Sequence, residues 1–158
     1  WCVNVPAGGR ACVMGASGAG KTTLLALAAG ECAPCSMMFQ DARLVEDASA
    51  LDNVLVCADA RVELERRSLL RLLVPGIDVH ACTAELSGGQ RRRVEIARAL
   101  LCPGGAVILD ELFTGLDVAA RDATAEVVLD LLDGRTLLFA THDASDAQAL
   151  DISDIITL

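Results

Sequence analysis

Nine residues near the start of the chain, Gly15-Ala16-Ser17-Gly18-Ala19-Gly20-Lys21-Thr22-Thr23, place the narrowest limit on its fold. They lie between a short apolar run, Ala11 to Met14, and an Ala/Leu-rich stretch from about Lys21 to Ala29 that Gly30 should stop. A GxxxxGK[ST] pattern between a strand and a helix is a phosphate-binding loop. Its glycines let backbone N–H groups converge on phosphate oxygens without side chains intruding, and the helix adds the positive end of its dipole. Lys21 offers a point charge to terminal phosphates, and Thr22 offers a hydroxyl to magnesium.

The rest of the chain alternates in the same way. Ser36 to Phe39 reads as a strand ending at Gln40, and Val3 and Val5 alternate before a Pro6-Ala7-Gly8-Gly9 turn. Ala106 to Leu109 is an uninterrupted apolar run, as in a parallel strand covered on both faces, and it ends in Asp110-Glu111. Thr136 to Ala140 is another, delivering Thr141-His142-Asp143. Val94, Ala97 and Leu101 mark one helix, broken by Pro103-Gly104-Gly105, while Leu116, Ala120, Ala123, Val127 and Leu131 mark the next. The stretch 41–78 is charged and leucine-spaced, predicting two or three short helices. Leu64, Leu69, Leu72 and Leu73 form a core stripe there, ended by Pro75-Gly76. The 158 residues make one domain: an α/β core over 1–40 and 87–158, mostly parallel with flanking helices, and a small helical insert over 41–86.

Ligands of open parallel sheets gather at the carboxyl ends of the strands, where this sequence puts its P-loop, Asp110-Glu111 and His142. Asp110 is placed to hold magnesium through water, and Glu111 to orient or deprotonate an attacking water. Leu86-Ser87-Gly88-Gly89-Gln90 opens a second glycine-rich helix start, with Ser87 and Gln90 at capping-box spacing. Taken alone, it reads as a capped helix with a flexible start.

Composition removes several classes. A formal net charge of −9 argues against a duplex-binding surface, which works by neutralising phosphates. The one basic run, Arg91-Arg92-Arg93, reads as a solvated face paired with Glu85 and Glu95. Mean hydropathy is +0.46, yet the longest stretch without a charge, Ala99 to Leu109, is broken by proline and glycine and falls short of a bilayer span. No start of signal-peptide type is present. Seven cysteines are scattered, and Cys32-Ala33-Pro34-Cys35 is the only pair at ligand spacing; it lacks a second pair or a neighbouring histidine, so reduced thiols are expected.

Taken in order, these motifs resemble the ATP-binding-cassette (ABC) ATPases across nearly the whole chain. Gly15 to Thr23 is similar to their Walker A motif, Gln40 to the Q-loop, and Leu86 to Gln90 to the signature motif. Val107 to Glu111 resembles Walker B with its catalytic glutamate, Gly115-Leu116-Asp117 the D-loop, and His142 the switch histidine. The resemblance implies that Lys21 binds the β- and γ-phosphates of ATP, and that Thr22 and Gln40 ligate Mg2+ with Asp110 in its outer shell. It implies that Glu111 polarises the water and that His142 contacts the γ-phosphate. Ser87 and Gly89 would reach the γ-phosphate held by a second ATPase subunit in a homodimer, beneath transmembrane permease subunits and on the cytoplasmic face of the cell membrane. His80 and Trp1 match no motif.

Phe39-Gln40-Asp41-Ala42-Arg43-Leu44 and Leu51-Asp52-Asn53-Val54 look most like bacterial importers of the nitrate, sulfonate and taurine type, where this stretch leads towards the permease's coupling helix. Three departures stand against the family pattern. Leu112 replaces the proline that commonly follows the glutamate; the first strands and the adenine-stacking aromatic are missing before Trp1; and little follows His142, so both ends are expected to be curtailed. Two other readings remain at this point: a soluble ABC ATPase acting on ribosomes or DNA, and a non-hydrolysing ATP-binding remnant.

Overall fold

A computed structural model of the protein describes residues 4–32, 34–41, 43–56, 74 and 76–158. The leucine stripe expected over 64–73, and Trp1, lie outside the described residues. The chain divides into two compact units, 1–40 with 104–158, and 41–103.

The first unit is built on five parallel strands: β1 (Arg10–Met14), β2 (Cys35–Met38), β3 (Ala106–Asp110), β4 (Thr136–Thr141) and β5 (Asp154–Thr157), in the order β2-β3-β4-β1-β5. All five residues of β3 are buried, as its unbroken apolar run predicts for a strand covered on both faces. On one face Ala11, Val13, Ile108, Leu138 and Ala140 pack with Leu25 of α1 (Lys21–Glu31). On the other, Phe139 meets Phe113 edge to face, with ring centroids 5.9 Å apart. Leu112 is fully buried here, so the position where proline is common in the family serves as a core anchor.

Two helix readings need correction. Helix α1 continues through Gly30 to Glu31, and Cys32 closes the last turn with its N–H on Ala28 O. A glycine inside a helix costs about 1 kcal/mol relative to alanine and does not by itself end one. In the helix over Val118–Leu132, the buried residues are Thr124, Ala125, Val128 and Leu132, displaced from the expected stripe. With alanine, valine and leucine on several faces, periodicity could not choose between them. Thr124 is accommodated inside because its hydroxyl donates to Ala120 O at 2.6 Å. After β4, a short helix over Ala144–Ala149 leads to β5, so the chain beyond His142 supplies an edge strand beside β1.

In the second unit, α2 (Ala50–Leu55) packs against α3 (Gly88–Leu101), with a 3-10 turn at Thr83–Glu85 between them in sequence. The helices Val118–Leu132 and Ala144–Ala149 are α4 and α5. One division between the two units falls at 40/41. The other falls at 103/104 instead of 86/87, because α3 is bound into the second unit. Glu95, 1% exposed, accepts from Arg43 N at 2.6 Å and pairs with Arg92 at 3.5 Å, while Arg98 donates to Arg43 O. The Pro103-Gly104 break, rather than the glycines at 88 and 89, marks the boundary. Of the face expected at Arg91-Arg92-Arg93, the pairing with Glu95 is present through Arg92, but all three arginines are half-buried and not fully solvated. Asn53 is fully buried, its amide bonded to both Val45 N and O and to Ser49 O, so it brackets the preceding loop.

Candidate nucleotide site

From Met14 the chain turns through Gly15–Gly20 into α1. Gly18 and Gly20 have φ of 81° and 96°, the left-handed region that glycine enters without a Cβ clash, and Ala19 N closes a turn on Ala16 O at 3.1 Å. Helices α2 to α5 begin with side-chain caps from Ser49, Ser87, Asp117 and Asp143. Helix α1 begins at Gly20 with no capping side chain and no acid in its first turn. Its leading N–H groups thus lack an oxygen from the cap position, and an incoming anion fits that place.

Lys21 is buried and folded over this loop, with Nζ 2.8 Å from Gly15 O, 3.2 Å from Ala16 O and 3.3 Å from Glu111 Oε1. Three donors of the ammonium thus face three acceptors. The other oxygen of Glu111, Oε2, lies 2.9 Å from His142 Nδ1. Glu111 adopts φ 52°, a conformation rare for a side chain of this size, with its N–H on Ala140 O. That twist at the end of β3 accompanies a glutamate side chain set between the loop and the end of β4.

Next to it, Thr22 donates to Asp110 Oδ2 at 2.5 Å, and Asp110 is fully buried. A cavity of about 310 Å³ is lined by Ser17, Gly18, Gly20, Lys21, Thr22, Thr23, Gln40 and Glu111, the size range of small-ligand sites. A hydroxyl, a carboxylate and an amide oxygen are the hard donors that suit Mg2+, and they fit such an ion. Among the described residues no three His, Cys, Asp or Glu side chains are grouped to hold a metal alone. A cation here would draw its other ligands from phosphate and water, as Mg2+ commonly does.

The second glycine motif lies in the other unit. Ser87 Oγ accepts from Gln90 N at 3.3 Å and Gln90 Oε1 from Ser87 N at 2.9 Å, the reciprocal box its spacing predicts. A Cβ built at Gly88 or Gly89 meets no atom of the described residues within 4 Å. Asp117 caps α4 through Ala120 N at 2.8 Å, after a turn in which Gly115 has φ 79°. His80 is exposed in a turn, its N–H on Asp78 Oδ1. Cys32 and Cys35 are free thiols.

Sequence reading missed the surroundings of His142. Thr141, fully buried, donates to Asp146 Oδ2 at 2.7 Å and accepts from Asp143 N at 3.1 Å. The nearest signal was the clustering of Thr141, Asp143 and Asp146 around the histidine, which spacing alone does not assign.

A loop of this kind, leading from an interior parallel strand into an uncapped helix and facing an acidic strand end, defines a P-loop nucleotide-binding protein. Within that class the chain belongs to the ABC transporter family, whose sequence model matches residues 2–114. It is similar to the aliphatic sulfonates import ATP-binding protein SsuB of Escherichia coli (strain K12), with 37% identity over 171 residues, covering 94% of this chain and 66% of that protein. SsuB of Shigella flexneri matches to the same extent. The chain therefore spans 66% of the length of these relatives. Among solved structures, the dimeric structure of MJ0796, a bacterial ABC transporter cassette, aligns with a TM-score of 0.85 at 23% identity, covering 99% of this chain and 83% of that one. That likeness establishes the cassette fold.

Proposed function

We propose that the chain is the ATP-binding and hydrolysing part of an ABC importer subunit, driving transport by ATP-dependent closure of two copies. The observation that carries this reading is the Lys21–Glu111–His142 chain beside the uncapped start of α1. The P-loop amides and Lys21 bind the β- and γ-phosphates of ATP. As Lys21 turns to the γ-phosphate it leaves Glu111, whose carboxylate then accepts a proton from the attacking water. His142 holds that carboxylate through Nδ1 and contacts the γ-phosphate, while Thr22 and Gln40 would hold Mg2+ with Asp110 in its outer shell. When bound, Mg2+ supplies positive charge that offsets charge on the phosphate oxygens.

The signature motif acts on the other copy. Alanine is the better helix former at the glycine positions in the first turn of α3, and no described atom requires their small size. Close approach of a partner's γ-phosphate gives them a purpose. Ser87 retains its hydroxyl proton for that phosphate even while its oxygen caps the helix. The 37% identity to SsuB favours a bacterial importer of sulfonate type, peripheral on the cytoplasmic face of the membrane and bound to permease subunits. The net charge of −9 favours this over a nucleic-acid-directed ATPase.

The test is the solution mass of Glu111→Gln with and without ATP. The substitution keeps nucleotide binding and removes the base, so a monomer that becomes a dimer only with ATP is expected. A mass unchanged by ATP, with ATP binding demonstrated by titration, would overturn the shared-site reading.

A further inference from the structure

We propose that Arg121 is a positioning residue for His142, tying the helix that begins at Asp117 to the segment that carries the imidazole. This deepens the proposed ATPase reading and rests on it for its effect on turnover. The geometric part stands by itself.

Arg121 lies one turn into α4, its N–H on Asp117 O at 2.9 Å. Its Nη1 crosses to α5 and donates to Ser145 Oγ at 2.9 Å, while Nε reaches Asp122 Oδ1 at 3.2 Å. A planar fork with donors on different nitrogens makes both contacts at once, which an ammonium does not reproduce. From Ser145 the bonds lead back to the histidine. Ser145 N donates to Asp143 Oδ1 at 2.8 Å, Asp143 N to Thr141 Oγ1 at 3.1 Å, and Thr141 Oγ1 to buried Asp146 Oδ2 at 2.7 Å. His142 is thus gripped through both of its neighbours, while its ring stands largely exposed and meets Glu111.

Charge supports the same assignment. Hydrogen bonds from Ser145 hold the Asp143 carboxyl below its usual range, with Arg121 and His142 adding to the effect. Burial pushes Asp146 up, and Arg121 opposes that shift. The guanidinium thus favours the charged form of both carboxylates flanking the imidazole, as a smaller contribution than hydrogen bonding and burial. Arg121, Asp117, His142, Asp143 and Asp146 all line one cavity of about 290 Å³. A displacement of α4 at Asp117 would thereby reach the segment of His142 in part through the Arg121 side chain.

The chain holds two histidines, so ring NMR resonances of His142 can be followed with His80 as an internal reference. Arg121→Gln should shift the His142 signals and leave those of His80 in place. It should leave ATP affinity unchanged and lower kcat by roughly ten- to a hundredfold. Arg121→Lys should recover only part of the loss, since it restores charge without the fork. Unmoved His142 resonances in folded Arg121→Gln would overturn the proposal, as would full recovery with lysine. If glutamine prevents folding, the lysine variant is read alone, and wild-type resonance positions with wild-type kcat count against the role. Absence of ATP turnover in the wild-type chain would instead sink the functional reading, with the NMR comparison still deciding the role of Arg121.

Discussion

Glu111 and Asp146 are acids that folding puts to different uses. Glu111 is placed against Lys21 and His142 by a backbone twist of a kind that costs about 1–3 kcal/mol, an outlay usual where a side chain must be aimed. Asp146 is drawn into the core by Thr141, and burial lifts its carboxyl above the ordinary 3.8. For a group whose value is raised on folding, the stabilising contribution is complete below the unfolded value and is lost as pH climbs through the folded one. Asp146→Asn keeps an oxygen for Thr141 and does not ionise. Its melting temperature relative to wild type should therefore rise between acid and neutral pH, and a difference independent of pH in thermal melts would refute the assignment. Nearby Cys12 is pushed up to about 11 by burial and by the charges of Asp146 and Glu111, so it stays a thiol at neutral pH.

At the scale of elements, α1 and α3 start in opposite ways. Helix α1 has glycine at its cap and no side-chain oxygen on its first N–H groups, whereas α3 satisfies its own through the Ser87–Gln90 box. Ser87→Ala should therefore destabilise the chain by about 1 kcal/mol in urea unfolding, with an unchanged m-value. No loss of stability would mean that the box contributes nothing. Both helix starts were legible in the sequence, since loop glycines and capping spacing are local signals. So were β1, β3 and β4, to within a residue. The buried face of α4 was not, because its apolar residues surround the helix and only packing selects Thr124, Ala125, Val128 and Leu132. The passage of α1 through Gly30 was missed for a related reason: local propensity is a weak term against packing of the whole helix.

For the whole molecule, the ATP reading has a thermodynamic consequence. A ligand that binds only the folded state stabilises it by about 2.7 kcal/mol at a hundredfold excess over Kd. Melting temperature should then climb with ATP concentration, and Lys21→Ala should abolish the rise; an equal rise in that variant would remove Lys21 from the site. The sequence by itself determined the P-loop, the run of strands and helices, the capping box and the acids at the end of β3, because each depends on residue spacing along a few turns. It also determined family membership, since six motifs recur in order. Only the tertiary structure decided that Thr22 meets Asp110 from 88 positions away, that Lys21 and His142 share Glu111, and that Arg121 reaches Ser145. It also decided that α3 belongs with residues 41–103. These contacts follow from which strands lie side by side and which helices pack together, and local periodicity carries no record of either.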